Sequence, residues 1–205
     1  MHRLLDVLAS GVHDAKNQLF AAESMVAAVE AAHGVDLGEA RYAIEAAAGR
    51  LSRTLTAYRL LRHGAALAVV PAVVGDLLAE VRLAQDKHLA RNGIDLEVNC
   101  TVADEWPLDR DLIGDVLNNA VQNAGRHARR RVRLGADIAG AELVFTVEDD
   151  GPGFADPATT SRGGGAGLLI AERLAALHTR HGRPGRLTLG NGGDLGGARF
   201  ELRLP

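Results

Sequence analysis

The sequence predicts an α+β fold in two parts. Residues 1–64 form a helical hairpin that pairs with a second copy as a dimeric four-helix bundle, and residues 65–205 form an α/β sandwich. Three observations predict it. Residues 1–64 contain no proline, and their apolar side chains recur in steps of three and four. From Ala65 the texture changes to short β-rich runs alternating with helical stretches. Glycine-rich segments then punctuate the second part, one of them directly before an apolar helical pattern.

Taken in order, Leu4, Leu8, Val12, Ala15, Leu19, Ala22, Val26 and Val29 make one stripe on a first helix of about 30 residues, or about 45 Å. The break falls at His33-Gly34, and Asp36 with Glu39 offers a capping-box pair for a second helix. That helix carries Ile44, Ala47, Leu51, Leu55, Tyr58 and Leu61 and ends at Gly64. A hairpin of two such helices buries only part of its apolar surface alone, so a homodimer is the physical expectation.

In the second part, Leu67-Ala-Val-Val70 reads as a strand, Pro71 to about Ala90 as a helix, and Ile94 to Thr101 as a strand. A helix is expected over Asp109 to His127, with strands at Val132 to Leu134 and Leu143 to Glu148. A helix over Ala166 to Leu177 and strands at Arg186 to Leu189 and Ala198 to Leu204 complete the chain. Strands and helices in this order imply one sheet covered by helices on one face.

Bulk properties exclude several classes. Hydrophobic residues make up 47% and charged residues 24% of the chain, as in ordinary globular proteins. The net charge of -3 gives no basic footprint for nucleic acid, and the arginine run from Arg126 to Arg133 follows a predicted helix. No apolar run is long enough for a membrane span. A single cysteine, Cys100, makes a reducing compartment the default, so a cytoplasmic location is expected. His178 and His181 lie three apart like a metal pair, but no neighbouring ligand completes a zinc set.

Three motifs in order carry the functional argument. The first is Leu117-Asn-Asn-Ala-Val-Gln-Asn-Ala124, with Asn119 and Asn123 on one helical face. The second is Val147-Glu-Asp-Asp-Gly-Pro-Gly-Phe154, which alone reads equally as a turn after a strand. The third is Gly163-Gly-Gly-Ala-Gly-Leu168, at a helix start where backbone N–H groups favour phosphate. NxxxN, then DxGxG, then GxGxGL resembles the nucleotide-binding pattern of the ATPases and kinases that include gyrase, heat-shock protein 90 and histidine kinases. Gly11-Val-His-Asp-Ala-Lys-Asn-Gln18 resembles the HDxxN phospho-acceptor box of the histidine kinases.

The resemblance implies the following roles. Asn123 supplies a carbonyl oxygen to Mg²⁺ on the phosphates of ATP, with Asn119 beside it and Arg126 as a basic phosphate contact. Asp149 accepts from the adenine amino group. Gly151 and Gly153 let the backbone approach the base, and Gly163, Gly165 and Gly167 let it surround the phosphates. His13 is the nucleophile, and Asp14 fixes its tautomer. Asn17 or Gln18 supports dephosphorylation of a partner, a choice the residues leave open, and Lys16 contacts phosphate or stays solvated.

ATP-hydrolysing members carry a glutamate four residues before the metal-binding Asn, where this chain has Asn119. An amide cannot act as a general base near neutral pH, so a poor ATPase that phosphorylates a protein nucleophile is expected. The implied activity is autophosphorylation of His13 from Mg·ATP, followed by transfer to an aspartate on the receiver domain of a response regulator. A histidine phosphotransferase with a silent nucleotide domain is one alternative, and an anti-sigma-factor-type serine kinase is another. The segment between Phe154 and Gly163, where the family has a lid, is short. The two catalytic parts consume the chain, so the input is expected from a separate sensor or regulatory protein.

Overall fold

The computed structural model describes residues 2–44, 46–49, 51, 67–155 and 165–205. They fall in two compact units, Met1–Ala65 and Ala66–Pro205. The first contains α1 (His2–His33) and a second helix, α2, described over 38–44 and 46–49. Gly34, with φ of 62°, ends α1 and returns its N–H to the Glu30 carbonyl, the left-handed stop that glycine accepts without strain. The turn is tied by side chains. Glu30 accepts from the Leu37 N–H at 2.8 Å, Asp36 accepts from the Gly38 N–H at 2.9 Å, and Arg41 reaches back to Glu23 and Glu30. Among the described residues of this unit only Ala48 is a buried apolar side chain, while Phe20, Met25, Val29 and Val35 are exposed.

The second unit contains β1 (Val70–Val73), α3 (Val74–Arg91), β2 (Asp95–Cys100), β3 (Glu105–Leu108) and α4 (Arg110–His127). It continues with β4 (Arg131–Ala139), β5 (Glu142–Asp149), α5 (Gly165–Leu177), β6 (Thr179–Arg180), β7 (Arg183–Pro184), β8 (Arg186–Asn191) and β9 (Ala198–Leu204). Five strands form one sheet in the order β2-β4-β5-β9-β8, parallel between β2 and β4 and antiparallel elsewhere. α3 packs on β2 and α4, α4 on β4 and β5, and α5 on β8 and β9. The α+β prediction therefore holds for this unit.

Strand alternation explains both faces of the sheet. Val132, Leu134, Leu143, Phe145, Val147, Phe200, Leu202 and Leu204 point inward and are buried with Leu77, Leu78, Ile113, Leu117 and Leu174 of the helices. The opposite face is charged. Glu97, Arg133, Glu148 and Arg199 stand side by side in register across β2, β4, β5 and β9, with alternating sign. Arg133 pairs with Glu97, and Arg199 pairs with Glu148. Opposite charges on directly facing positions favour this register over a slip.

The structure corrects two expected elements. Pro71 lies inside β1 instead of opening α3, and the strand expected at 67–70 occupies Val70–Val73. The reason is a partner, β3, that the sequence reading did not identify: β1 pairs with it antiparallel, and Pro71 faces Pro107. Both prolines lack an N–H, which a two-stranded ribbon of edges tolerates. The β6–β7 hairpin was likewise not foreseen. Its turn residues His181 and Gly182 have φ of 51° and 74°, the paired left-handed conformations of a tight hairpin turn.

A buried polar joint ties the entry of this unit to α4 and α5. Asp109 caps α4 by accepting from the Leu112 N–H, and its second oxygen accepts from the Ala68 N–H at 2.9 Å. The Asp109 N–H donates to His178 Nε2 at 3.1 Å, and His178 Nδ1 lies 2.9 Å from the Leu174 carbonyl. That pair of partners selects the neutral Nδ1–H tautomer. Burial lowers the His178 pKa, and the Leu174 carbonyl and the Asp109 charge offset this only in part.

A depressed folded pKa means the unfolded chain binds the proton first. Stability from this joint is therefore full above about pH 6.5, the ordinary histidine value, and declines as pH falls below it. Urea denaturation of His178→Gln should show a loss of about 1–3 kcal/mol at pH 7 and a shallower decline from pH 7 to 5 than the unsubstituted protein. Equal slopes would contradict the assignment.

Candidate functional site

α4 positions one wall of the site. Its buried stripe from Leu112 to Ala124 docks on the sheet, which leaves Ala120, Asn123, Ala124 and His127 as successive positions along a single helical face. All four line a cavity of about 250 Å³. Opposite them, the cavity is lined by Val147 and Asp149 of β5, the Gly153–Ala155 segment, Leu168 of α5, Leu189 of β8, and Ala198 and Phe200 of β9. The lining is apolar apart from Asp149, Asn123 and His127, so a flat apolar ring with a polar edge fits it.

Asp149 is 2% exposed. Its Oδ1 accepts from the Gly151 N–H at 2.8 Å and the Ala198 N–H at 3.2 Å, and its own carbonyl accepts from the Gly197 N–H. No bond to Oδ2 is made among the described residues, so one oxygen serves the fold and the other is available to a ligand donor. A Cβ at Gly197 would collide with Asp149, and a Cβ at Gly151 would collide with the His127 carbonyl. Glycine is required at both places by close approach.

The adjacent Asp150 has a structural role. Its Oδ1 accepts from three successive N–H groups, Arg129, Arg130 and Arg131, at 2.8–3.1 Å. This joins the turn after α4 to the loop after β5 and fixes two walls of the cavity to each other. Burial raises the carboxyl's pKa, but the bonds from the Arg130, Arg131 and Arg129 amides outweigh it and hold the pKa below the ordinary value.

Of the residues expected at the site, the structure brings Asn123, Asp149 and Gly153 to the cavity, with Gly151 in the turn that Asp149 organises. Asn119 lies one turn before Asn123, is half-buried, and is not among the lining residues. Arg126 is exposed, and its Nη1 donates to Asn123 Oδ1 at 3.4 Å. Gly165 and Gly167 open α5, and Gly163 lies outside the described residues. His13, Asp14 and Asn17 lie within α1, but their side chains lie outside the described residues. Gln18 is exposed. Sequence reasoning missed His127, Asn191 and Asp150. His127 was within reach of it, because it falls one turn beyond Asn123.

The Asn123 amide offers a hard oxygen at the cavity wall, the donor type Mg²⁺ takes when most of its other ligands are phosphate and water. The residues present therefore fit that ion. Among the described residues no cluster of three His, Cys, Asp or Glu side chains could hold a metal alone, and no helix is long and apolar enough to cross a membrane.

A mixed sheet backed by helices, with a carboxylate at the base of an apolar cavity, is suited to a flat ring bearing a hydrogen-bond donor. Residues 108–205 match the family described as histidine kinase-, DNA gyrase B- and HSP90-like ATPase. The Two-component sensor PhoQ of Pseudomonas aeruginosa is 30% identical over 159 residues, which cover 71% of this chain and 32% of PhoQ. Sensor protein RstB of Escherichia coli is 32% identical over 112 residues, covering 48% of this chain and 25% of RstB. The solved structure of full-length ShkA in complex with AMPPNP has the same fold, with a TM-score of 0.66 at 23% identity, and covers 98% of this chain and 45% of that one. Residues 108–205 thus carry the ATP-binding domain of that family, and the chain is similar to two-component histidine kinases. It spans about a quarter to a third of the length of the curated relatives RstB and PhoQ.

Asp150 makes a test of the framework. A depressed carboxylate contributes stability above about pH 4, its ordinary value, and loses it as pH falls through the folded value. Asp150→Asn should cost about 1 kcal/mol at pH 7 and flatten the acid limb of the stability curve below about pH 4. An unchanged acid limb in chemical denaturation would contradict the role.

Proposed function

We propose that this chain is an ATP-dependent protein histidine kinase that phosphorylates its own His13 and passes the phosphoryl group to an aspartate of a response-regulator receiver domain. The observation that carries the reading is the cavity between α4 and β5, with Asp149 at its base and Asn123 at its edge. Asp149 Oδ2 accepts from the adenine amino group while Val147, Leu189 and Phe200 cover the ring. Asn123 Oδ1 would hold Mg²⁺, which would neutralise phosphate charge. Arg126, which now donates to that oxygen, would be left to meet phosphate. Asn119 supports the polyphosphate from one turn away. The backbone of Gly151 and Gly153 admits the base, and that of Gly163, Gly165 and Gly167 turns around the phosphates at the start of α5.

In the chemical step, the lone pair of a His13 ring nitrogen, Nε2 in this reading, forms the N–P bond to the γ-phosphorus. The bond from that phosphorus to the β,γ-bridging oxygen breaks, and ADP leaves with the electron pair. Asp14 holds the Nδ1–H and stabilises the positive charge that develops on the ring. Position 119 carries an amide where a water-activating base would stand, which favours histidine over water as the acceptor. Asn17 or Gln18 positions water for dephosphorylation of the partner regulator. The exposed apolar side chains Met25 and Val29, about 40° apart around α1 at the helical step of about 100° per residue, support pairing of two hairpins as a four-helix bundle.

Incubation with γ-labelled ATP and Mg²⁺ should give acid-labile, base-stable label on the protein, absent from His13→Ala. Label that moves instead to a partner's serine, independent of His13, would overturn the reading in favour of a serine kinase. No label, together with acceptance of phosphoryl groups from a phosphorylated regulator, would identify a phosphotransferase. Asn123→Ala and Asp149→Ala should each weaken Mg·ATP binding at least ten-fold by calorimetry, on the scale of one lost charged hydrogen bond or metal ligand, with the dimer intact. Unchanged affinity would mean the site is elsewhere.

A further inference from the structure

β8 ends at Asn191, which pairs in register with Ala198 across the hairpin to β9. The two carbonyl–amide bonds nearby, Gly192 N–H to Gly197 and Gly197 N–H to Asp149, place this connection directly over the end of β5. The Asn191 side chain lies on this connection and reaches a residue 37 positions earlier. Its Oδ1 accepts from the Phe154 N–H at 2.7 Å, and its Nδ2 donates to the Phe154 carbonyl at 2.7 Å.

One side-chain amide thus satisfies both backbone groups of a single residue, as a paired strand would. Near neutral pH only the Asn and Gln amides carry a donor and an acceptor in that planar arrangement, and Gln would place them one methylene further out. The preceding residue confirms how closely the amide is seated. Gly153 has φ of 77°, and a Cβ built there would lie 2.7 Å from Asn191 Oδ1. The amide occupies the space a side chain at 153 would need.

The β8–β9 connection therefore grips the loop after β5 at both ends. It holds Asp149 through the N–H groups of Gly197 and Ala198, and it holds Phe154 through the side chain of Asn191. Gly153 and Phe154 line the cavity, as does Leu189, two residues before Asn191 on the same face of β8. Asn191 does not line the cavity, so any influence on the ligand is exerted through Phe154.

We propose that Asn191 is a positioning residue for the nucleotide: its amide holds the Gly153–Phe154 segment in the conformation that lines the cavity, and so sets nucleotide affinity without touching the ligand. The inference rests on the cavity being the ATP site. Replacement by Asp separates this role from a merely structural one. At pH 8 the carboxylate still accepts from the Phe154 N–H but faces the Phe154 carbonyl with a second negative oxygen. Gln instead keeps both the donor and the acceptor, one methylene further out.

The test is calorimetry with AMPPNP and Mg²⁺ on the full chain at pH 8, for the unsubstituted protein, Asn191→Ala, Asn191→Asp and Asn191→Gln. Asn191→Ala should bind roughly ten-fold more weakly, the scale of one or two lost hydrogen bonds. Asn191→Asp, of the same size as Asn but without the donor, should bind more weakly still, and Asn191→Gln, which keeps donor and acceptor, should recover part of the loss. Unsubstituted affinity in Asn191→Ala and Asn191→Asp, or Asn191→Gln no tighter than Asn191→Ala, overturns the positioning role while leaving the ATP site standing. Failure of the unsubstituted protein to bind AMPPNP overturns the ATP reading itself, and this proposal with it.

Discussion

A buried carboxylate needs hydrogen-bond donors, and among the described residues Asp149 finds them with Oδ1. Oδ1 takes the Gly151 and Ala198 N–H groups, which forces the chain to turn at once after β5 and draws the β8–β9 connection over the strand end. The glycines at 151 and 197 follow from this, since a side chain at either would occupy the space the carboxylate and its neighbours use. Asp149 lines the base of an apolar cavity, where a donor on a flat ring complements its carboxylate.

The two faces of the sheet divide the labour. Inward residues of β4, β5 and β9 build the core on which α4 rests, and α4 in turn aims Asn123 and His127 at the cavity. Outward residues form the row of alternating charge from Glu97 to Arg199, which fixes strand register. Register matters to function because a slip of one residue would turn Asp149 to the opposite face. Glu148 beside it illustrates the point: it is buried, yet it faces Arg199 and the Asp194 N–H on the other side of the sheet.

Long elements with strong periodicity were legible in the sequence. The stripe of α4, the alternation of β5 and β9, and the end of α1 at His33 all follow from local pattern. Asn123, Asp149 and Gly153 were legible because their motifs occur in order along the chain. Elements whose existence depends on a distant partner were not. β1 and β3 are four residues each, and each carries a proline, so neither has enough alternation to announce itself; Pro71 read locally as a helix start. Asp150, Asp109, His178 and Asn191 escaped for a related reason. Most of their bonds go to main-chain groups about 20 to 69 positions away in sequence, and a backbone acceptor or donor leaves no trace in residue identity.

In the proposed reading Asp149 selects the base: its carboxylate accepts a hydrogen bond from the amino group of adenine, whereas guanine presents a carbonyl oxygen at the same ring position and would set two acceptors against each other. Calorimetric titration with ATP and with GTP, each with Mg²⁺, measures this directly. The account predicts that ATP binds at least about a hundred-fold more tightly, the scale of a buried acceptor left unpaired against a like group. Equal affinity for the two nucleotides would contradict it.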